Sequence, residues 1–587
     1  MLKQILEKEI EKAVKKVSAG KVDFAIFRDE KFADYSSNAA MQIGAGVPRE
    51  NAEKIKATLS ASKNFNKYFS KVEIAGPGFL NFWVKEEEFV KNVGSVLKAK
   101  NKYGSNKTLA KKKIIVEFTD PNPFKEFHIG HLMSNSIGEF IARAMEFSGA
   151  QVKRACYQGD VGTHVAKAVT TLLAWKDKFN TVLKKGNLSE QVSLMSLAYA
   201  QGNKQYEESD LGKKMITEVN KKIYTKSKDI ADIYKGGREI SLKYFEEIYG
   251  ILGMNPQKGN KPSSAKASAG KHFDFYFFES ETGKHGKTIV EKFLKKGVFA
   301  KSEGAIVFPE EKSGLHTRVF INSENLPTYE AKELGLAEIK YKKYKYNTSI
   351  VVTGNEINEY FKVLLRAMEF VFPKLAKNTK HLSHGMLRLP TGKMSSRTGE
   401  VITAVGMLED IEKIILEKVS GRDLKEKEKL KISKQVALAA VKYSILKQSI
   451  GKDIIFDLDK SVSFEGDSGP YIQYTYVRTQ SILRNAKESK IKELANFNKI
   501  EGVNISHVEK LLQQFPEVVE MAAEKYAPNL VCSYLVELCH AFNAYYAENK
   551  IVSNDAIGKY RIALSRAVGQ VLKNGLELLG IPAPDKM

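Results

Sequence analysis

Two histidines spaced three apart, His128 and His131, stand in the tetrapeptide His128-Ile129-Gly130-His131, just after the apolar run Ile114-Ile115-Val116. That order puts them where a strand ends and a helix begins. A helix start leaves backbone N–H groups without intrahelical partners and carries the positive end of the helix dipole, so it is a ready seat for phosphate. Histidines there can donate to phosphate oxygens as charge shifts during reaction, and Gly130 lets a bulky nucleotide approach the backbone. The chemistry predicted is adenylate formation. Two helix-capping histidines on a surface are the alternative.

A second cluster lies far downstream, Lys393-Met394-Ser395-Ser396-Arg397-Thr398-Gly399. A short basic, hydroxyl-rich loop ending in glycine can fold over a triphosphate and offset its charge.

The elements that must position these residues can be read from the spacing. Ile114 to Phe118 reads as a strand that passes Pro121 and Pro123 into a helix over Leu132 to Phe147, with Ile137, Ile141 and Met145 on one face. Gly149 closes the helix and Val152 to Tyr157 supplies the next strand. A βαβ unit follows, and with it a parallel sheet whose ligands bind at the strand C-termini. Strand signals return at Phe273 to Phe278, Gly304 to Phe308 and Thr348 to Thr353. A lysine-rich helical insertion is expected over about 176–270, its Ser/Ala/Gly/Lys-rich end, Lys261 to Gly270, forming a loop.

Before this region, residues 1–105 open with an amphipathic helix bearing Leu2, Ile5, Leu6, Ile10 and Val14, and finish in two short strands around Gly76-Pro77-Gly78. Past about 405 the three-four spacing of Ile432, Val436, Ala439, Tyr443 and Leu446, and of Val531, Leu535, Leu538, Phe542 and Tyr545, predicts an all-helical bundle. The expected architecture is multidomain α/β. A Rossmann-like parallel-sheet catalytic domain (106–405) stands between an N-terminal α+β module (1–105) and a C-terminal all-α bundle (406–587).

Composition bounds the function. The chain has 587 residues, too many for one core, and 93 Lys and Arg against 69 Asp and Glu give a net charge of +24. That excess favours a polyanionic partner, nucleic acid first. Three scattered cysteines, Cys156, Cys532 and Cys539, have no metal-ligand spacing and point to a reducing compartment, without disulfides or a structural zinc site. With no long apolar span and no leader-like start, a cytoplasmic protein without a membrane partner is expected.

The two signatures together, in this order and at this separation, resemble those of class I aminoacyl-tRNA synthetases, and the surrounding residues are similar to the arginyl-tRNA synthetase family. Asp120-Pro121-Asn122-Pro123-Phe124-Lys125 precedes the histidines as in that family, and Tyr157-Gln158-Gly159-Asp160-Val161-Gly162-Thr163 follows them. Glu303-Gly304-Ala305 and Leu326-Pro327-Thr328-Tyr329 fit its central portion. Asp467-Ser468-Gly469-Pro470-Tyr471-Ile472-Gln473-Tyr474, then Arg478, resemble the start of its anticodon-binding domain, and the tail from Leu578 to Met587 resembles its C-terminus. Asp34-Tyr35-Ser36-Ser37-Asn38-Ala39 and Gly76-Pro77-Gly78-Phe79 resemble its tRNA-elbow-binding module.

The resemblance implies activation of L-arginine with ATP and Mg²⁺, and transfer to the terminal adenosine of tRNA(Arg) by a monomer. His128, His131, Lys393, Arg397 and Lys125 would handle the phosphates, with Gly130 and Ser395 beside them and Gly385, Met386 and Leu387 along the adenine. Asn122, Tyr329, Glu333 and Glu279 would hold arginine, whose always-charged planar guanidinium requires buried acids. Tyr545, Tyr546 and Met587 would meet tRNA, since unstacked bases can lie on aromatic faces.

Several positions depart from the family pattern. Ser396 stands for the usual second signature lysine, a loss for which Lys125 would compensate. Glu333 stands for Asp. Ile357-Asn358-Glu359-Tyr360-Phe361 lacks a glutamine whose contact is lost or moved to Asn355 or Asn358, and His164 replaces a glutamine without a physical reason visible in the sequence. A class I synthetase for another amino acid and a non-catalytic tRNA-binding relative remain as rival readings.

Overall fold

The computed structural model describes residues 2–587 except 30, 45, 257–270, 310, 312–313, 389–402, 498–499 and 501. The chain divides into two compact units.

The first unit holds residues 1–104, 478–517 and 537–572. Its amphipathic helix Leu2–Val17 buries Leu2, Leu6, Ile10 and Val14, as the spacing predicts. Four antiparallel strands, β1 (Ile26–Asp29), β2 (Ala33–Ser37), β3 (Phe69–Ala75) and β4 (Phe79–Val84), lie in the order β1-β2-β4-β3. The sequence suggests only the second hairpin. β2 is buried along its whole length although it reads Ala-Asp-Tyr-Ser-Ser, so its polar groups hide it from an alternation test. Those groups are satisfied: Asp34 accepts from Val84 N (2.9 Å) and from Lys510 (2.9 Å), and the Tyr35 hydroxyl donates to Glu517 (2.6 Å). Arg28 joins them, its guanidinium donating to Gln513 (2.7 Å) and Glu517 (3.0 Å).

The second unit holds residues 105–477, 518–536 and 573–587. Its centre is a parallel sheet of β5 (Lys113–Glu117), β6 (Gln151–Gln158), β7 (Phe275–Phe278), β11 (Thr348–Gly354) and β12 (Thr379–His384), ordered β12-β11-β5-β6-β7. The first strand of the chain order lies in the middle, so the sheet reverses direction of winding at β5 and opens a crevice at the strand C-termini. Helix Ile129–Phe147 carries the crossover from β5 to β6 and begins three residues earlier than periodicity suggests, because His128 caps it.

A smaller antiparallel sheet, β10-β9-β8, joins β8 (Ala300–Ser302), β9 (Ala305–Phe308) and β10 (Arg318–Ile321). The insertion is helical, over Lys176–Lys185, Leu188–Glu208, Asp210–Thr225 and Ala231–Ile251, while the loop expected at 261–270 lies outside the described residues. The region past 405 is not purely helical: β14 (Ile454–Ile455) pairs in parallel with β13 (Leu387–Arg388). Such a two-residue strand carries no periodicity to detect.

Candidate active site

Every strand of the parallel sheet delivers side chains to the crevice. β5 leads into a loop with left-handed backbone at Thr119 (φ 79°), Asp120 (φ 44°) and Phe124 (φ 66°), conformations that cost energy in non-glycine residues and cluster at functional sites. Asp120 accepts from Tyr157 N at 2.6 Å, which ties this loop to the end of β6, and burial beside Glu117 pushes its carboxyl well above the usual range.

His128 is the N-cap of helix Ile129–Phe147. Its Nδ1 accepts from Gly130 N (3.1 Å), and Nδ1 of His131 accepts from His128 N (3.2 Å), a reciprocal cap in which both imidazoles serve as acceptors. An accepting Nδ1 leaves the proton on Nε2, so both rings are neutral donors away from the backbone. Burial, aided by the charge of Lys125, pulls His128 down to about 4, and burial carries His131 well below its ordinary value. The surface-cap alternative fails for His131, which is buried. Half-buried Lys125 has its ammonium 4.6 Å from the ring centre of Tyr199, a residue of the insertion.

The turn after β6 is the second wall. A Cβ on Gly159 would stand 2.4 Å from Asn122 Oδ1 and 3.4 Å from Glu279 Oε1, so only glycine lets those oxygens approach one point. His164, unexplained by sequence, has its Nε2 2.8 Å from the Gly159 carbonyl and braces that turn; burial lowers it to about 4. Asp160 organises the neighbourhood. It accepts from Ser280 N (2.9 Å) and Ser280 Oγ (2.8 Å) after β7, and from Tyr234 (3.2 Å) and Arg238 (3.0 Å) of the insertion.

Glu279 opens helix Glu279–Leu294 and is buried against Lys332 at 2.6 Å. Tyr329 and Glu333 share helix Tyr329–Lys343 but differ in setting: Tyr329 is 57% exposed, while Glu333 is half-buried. Glu333 has no hydrogen-bond or ion-pair partner among the described residues. Burial, with the opposing charge of Glu117 next, raises it to about 8. Nearby Glu117 is itself paired with Lys340 at 2.7 Å.

At the far side, β11 ends at Gly354 and a turn brings Glu356 toward His128, where its charge opposes the lowering. Asn355 and Asn358 are half-buried there, without a side-chain hydrogen bond among those described. After β12, a Cβ on Gly385 would lie 2.3 Å from the Lys452 carbonyl. Met386 donates its N–H to Asp453 (2.8 Å) and receives Ile454 N (2.8 Å), so its backbone is occupied and its side chain is what it offers, 45% exposed. Leu387 begins β13. Lys393, Ser395 and Arg397 lie outside the described residues; the chain resumes at Thr403, which pairs with His128 across an isolated bridge, and Ala404 N donates to Phe127 O at 2.9 Å.

The tRNA candidates belong to helix Pro528–Glu548 and to the C-terminal tail. Tyr545 is half-buried and Tyr546 exposed, with the Arg478 guanidinium 5.2 Å from the Tyr546 ring centre. The Met587 carbonyl accepts from Arg422 at 2.6 Å, in a tail also held at Gly580 by Lys442 (3.0 Å) and at Pro582 by Gln473 (2.7 Å).

Sequence reasoning missed the supporting residues: Lys332, Asp160 as an acceptor hub, and Tyr234 and Arg238 from the insertion. Only Asp160 carried a signal, inside a family motif. Among the described residues no group of three or more His, Cys, Asp or Glu could hold a metal, the three cysteines are buried and form no disulfide, and no helix is long and apolar enough to cross a membrane.

Comparison with known proteins agrees with this geometry. Residues 92–458 match the family model described as tRNA synthetases class I (R), catalytic domain; residues 472–587 match the DALR anticodon binding domain, and residues 1–84 the arginyl tRNA synthetase N terminal domain. The arginine–tRNA ligase of Halothermothrix orenii is 31% identical over 551 residues, covering 92% of each chain. That of Fusobacterium nucleatum is 30% identical over 595 residues, covering 100% of this chain and 99% of its own. In fold, the chain is similar to arginyl-tRNA synthetase from Thermus thermophilus (TM-score 0.79, 21% identity, 100% of both chains) and to that from Plasmodium falciparum (TM-score 0.74, 19% identity, 100% and 98%). With its histidine-capped helix at the switch point of a parallel sheet and these matches along its length, the chain belongs to the arginyl-tRNA synthetase family, the class I ligases that join arginine to tRNA.

Proposed function

We propose a division of labour among the site residues for the ligase reaction, in which the arginine carboxylate attacks the α-phosphorus of ATP, pyrophosphate leaves, and the terminal adenosine 2′-hydroxyl of tRNA(Arg) then takes the arginyl group with release of AMP. His128 and His131 donate through Nε2 to phosphate oxygens as charge builds on them. Fixed, neutral donors at a helix N-terminus need no reorganisation as the transition state forms. Lys125 adds a positive charge on the same side, in the role of the lysine that Ser396 replaces. Lys393 and Arg397 hold the β- and γ-phosphates with Ser395; the pairing of Thr403 with His128 supports this by fixing the end of their segment beside the histidines. Gly130 gives the nucleotide its close approach, and Gly385, Met386 and Leu387 flank the adenine, where the exposed Met386 side chain can lie on the base. Mg²⁺ would enter with ATP and offset phosphate charge, with few protein ligands of its own.

Glu333 takes the guanidinium with Glu279 as the second acid and Tyr329 at the mouth of the pocket; Asn122 grips the amino acid's own α-amino or carboxylate group. The observation that carries this reading is the Glu333 carboxyl, without an ion-pair partner among the described residues and pushed up to about 8 by burial, which a bound cation would ionise.

Residues 1–105 serve the tRNA elbow, 106–405 the chemistry with its insertion at about 176–270, and 406–587 the anticodon. Tyr545 and Tyr546 present rings to unstacked bases, and Met587 closes a tail tied down by Arg422. The reading extends to a cytoplasmic monomer without structural zinc; three cysteines scattered along the sequence suit a reducing compartment.

Arginine-dependent ATP–pyrophosphate exchange, with and without tRNA and across the twenty amino acids, tests it. Exchange with arginine alone among amino acids is expected. Exchange with a different amino acid would overturn the pocket assignment, and alanine at His128 and His131 without loss of exchange would overturn the phosphate assignment.

A further inference from the structure

A lysine buried in a pocket for a cationic substrate calls for a reason. Lys332 and Glu279 pair at 2.6 Å with side chains only 5% and 6% exposed. Their meeting depends on two helices in backbone contact: a Cβ on Gly286 would stand 1.7 Å from the Ala331 carbonyl oxygen, and one on Gly335 2.2 Å from that of Thr282. Glycines at the crossing of helices Glu279–Leu294 and Tyr329–Lys343 bring Lys332 within reach of Glu279. The ammonium also lies 5.0 Å from the ring centre of Tyr329 and 5.7 Å from that of Tyr224.

The pair uses one carboxylate oxygen, Oε2. The other, Oε1, faces Gly159, where Asn122 Oδ1 converges on the same point. The neighbouring acid Glu117 is likewise neutralised by Lys340. Of the three glutamates, Glu333 alone has no ion-pair partner among the described residues.

We propose that Lys332 is a positioning residue that sets the charge and geometry of the arginine pocket: it holds Glu279 so that one oxygen points over Gly159 beside Asn122, and offsets part of its charge so that the two acids oppose one another's ionisation less. The inference rests on the arginine pocket described above. Its sign follows from the charges that face Glu333: Glu117 from β5, Asp120 from the following loop, Glu279 from its helix, and Glu330 and Lys340 from its own, with Tyr157 and Tyr360 as further titratable neighbours. Lys332 itself faces Glu279, Tyr224 and Tyr329 and also acts on His164. Removing Lys332 exposes Glu333 to a second uncompensated carboxylate, which disfavours its ionisation; removing Glu279 leaves an uncompensated ammonium, which favours it.

The test measures arginine KM, ATP KM and kcat in exchange with the full-length enzyme and tRNA, from pH 6.5 to 9.5. Lys332→Met is expected to raise arginine KM about tenfold or more, leave ATP KM within about threefold, and move the midpoint of kcat/KM for arginine to higher pH. Glu279→Gln is expected to raise arginine KM and move the midpoint the opposite way. Lys332→Arg should keep both near wild type, and Glu279→Gln with Lys332→Met should bring the midpoint back toward it. Opposed shifts cannot come from a merely loosened fold. Midpoints that stay put, or move in the same direction in Glu279→Gln and Lys332→Met, overturn the proposal; should Lys332→Met fail to fold, Glu279→Gln against the double variant decides it by the same criterion. If Glu333→Gln leaves both arginine KM and the pH profile unchanged, the pocket assignment falls first and this inference with it.

Discussion

The rings of His128 and His131 lie face to face with centroids 3.6 Å apart, and each accepts a backbone N–H at Nδ1. A proton on either Nδ1 would break its cap and set a positive charge against its neighbour. Both are therefore held as neutral Nε2–H donors. Replacing either with alanine should lower kcat by about 10²–10³-fold while arginine KM changes little, the scale on which single transition-state donors act. Steady-state exchange at saturating arginine reads this directly; an equal loss expressed in KM would instead mean that the pair binds the ground state.

The same rings make stability depend on pH. Burial holds His128 and His164 at about 4 and carries His131 well below its ordinary value, against about 6.5 unfolded. A depressed histidine means that the unfolded chain binds more protons. Stability is then greatest above about pH 6.5 and falls as pH drops from 6.5 toward 4, by about 1–2 kcal/mol for each partly shielded ring. Urea unfolding at pH 7.5 and pH 5 should show the decrease, and alanine at His164 should reduce it.

Arginine binding should release a proton. Glu333 titrates at about 8 in the free protein, and a guanidinium needs it ionised. Below pH 8 arginine KM should fall as pH rises, about tenfold per unit at most, and level off above it. Calorimetry of arginine binding in two buffers of different ionisation enthalpy should give different apparent heats at pH 7. Equal heats would mean that Glu333 is already charged. Glutamine at this position should raise arginine KM by about 10²-fold and remove the pH dependence.

Gly159 makes a further test. A methyl group there would stand 2.4 Å from Asn122 Oδ1 and push it aside. Gly159→Ala should cut kcat/KM for arginine by about 10²-fold, because misplacement by an ångström at the reacting centre is that costly. ATP KM should remain near wild type, and a parallel loss in ATP KM would show a broader collapse of the turn.

The placement of the histidine pair was legible because it is local: spacing, a preceding apolar strand and a following helix are all within one βαβ unit. So were the amphipathic first helix and the parallel sheet. Glu279 was legible only by family likeness, and its partner Lys332 was not, since their contact depends on two glycines at a helix crossing that no local pattern announces. β2 was missed because it buries aspartate and serine, which look like turn residues until Lys510 and Val84 are seen to satisfy them. The reason for His164 appeared only with the Gly159 carbonyl at its Nε2. The Lys393 segment, prominent in sequence, lies outside the described residues.

Asp160 takes hydrogen bonds from Tyr234 and Arg238, so the helical insertion is wired into the turn that presents Gly159. The insertion is thus no exchangeable cassette. A chimera that grafts the corresponding segment from a relative would inherit a working enzyme only if the donor helix supplies both contacts together, and selection for altered insertions would find its first compensating changes at Asp160.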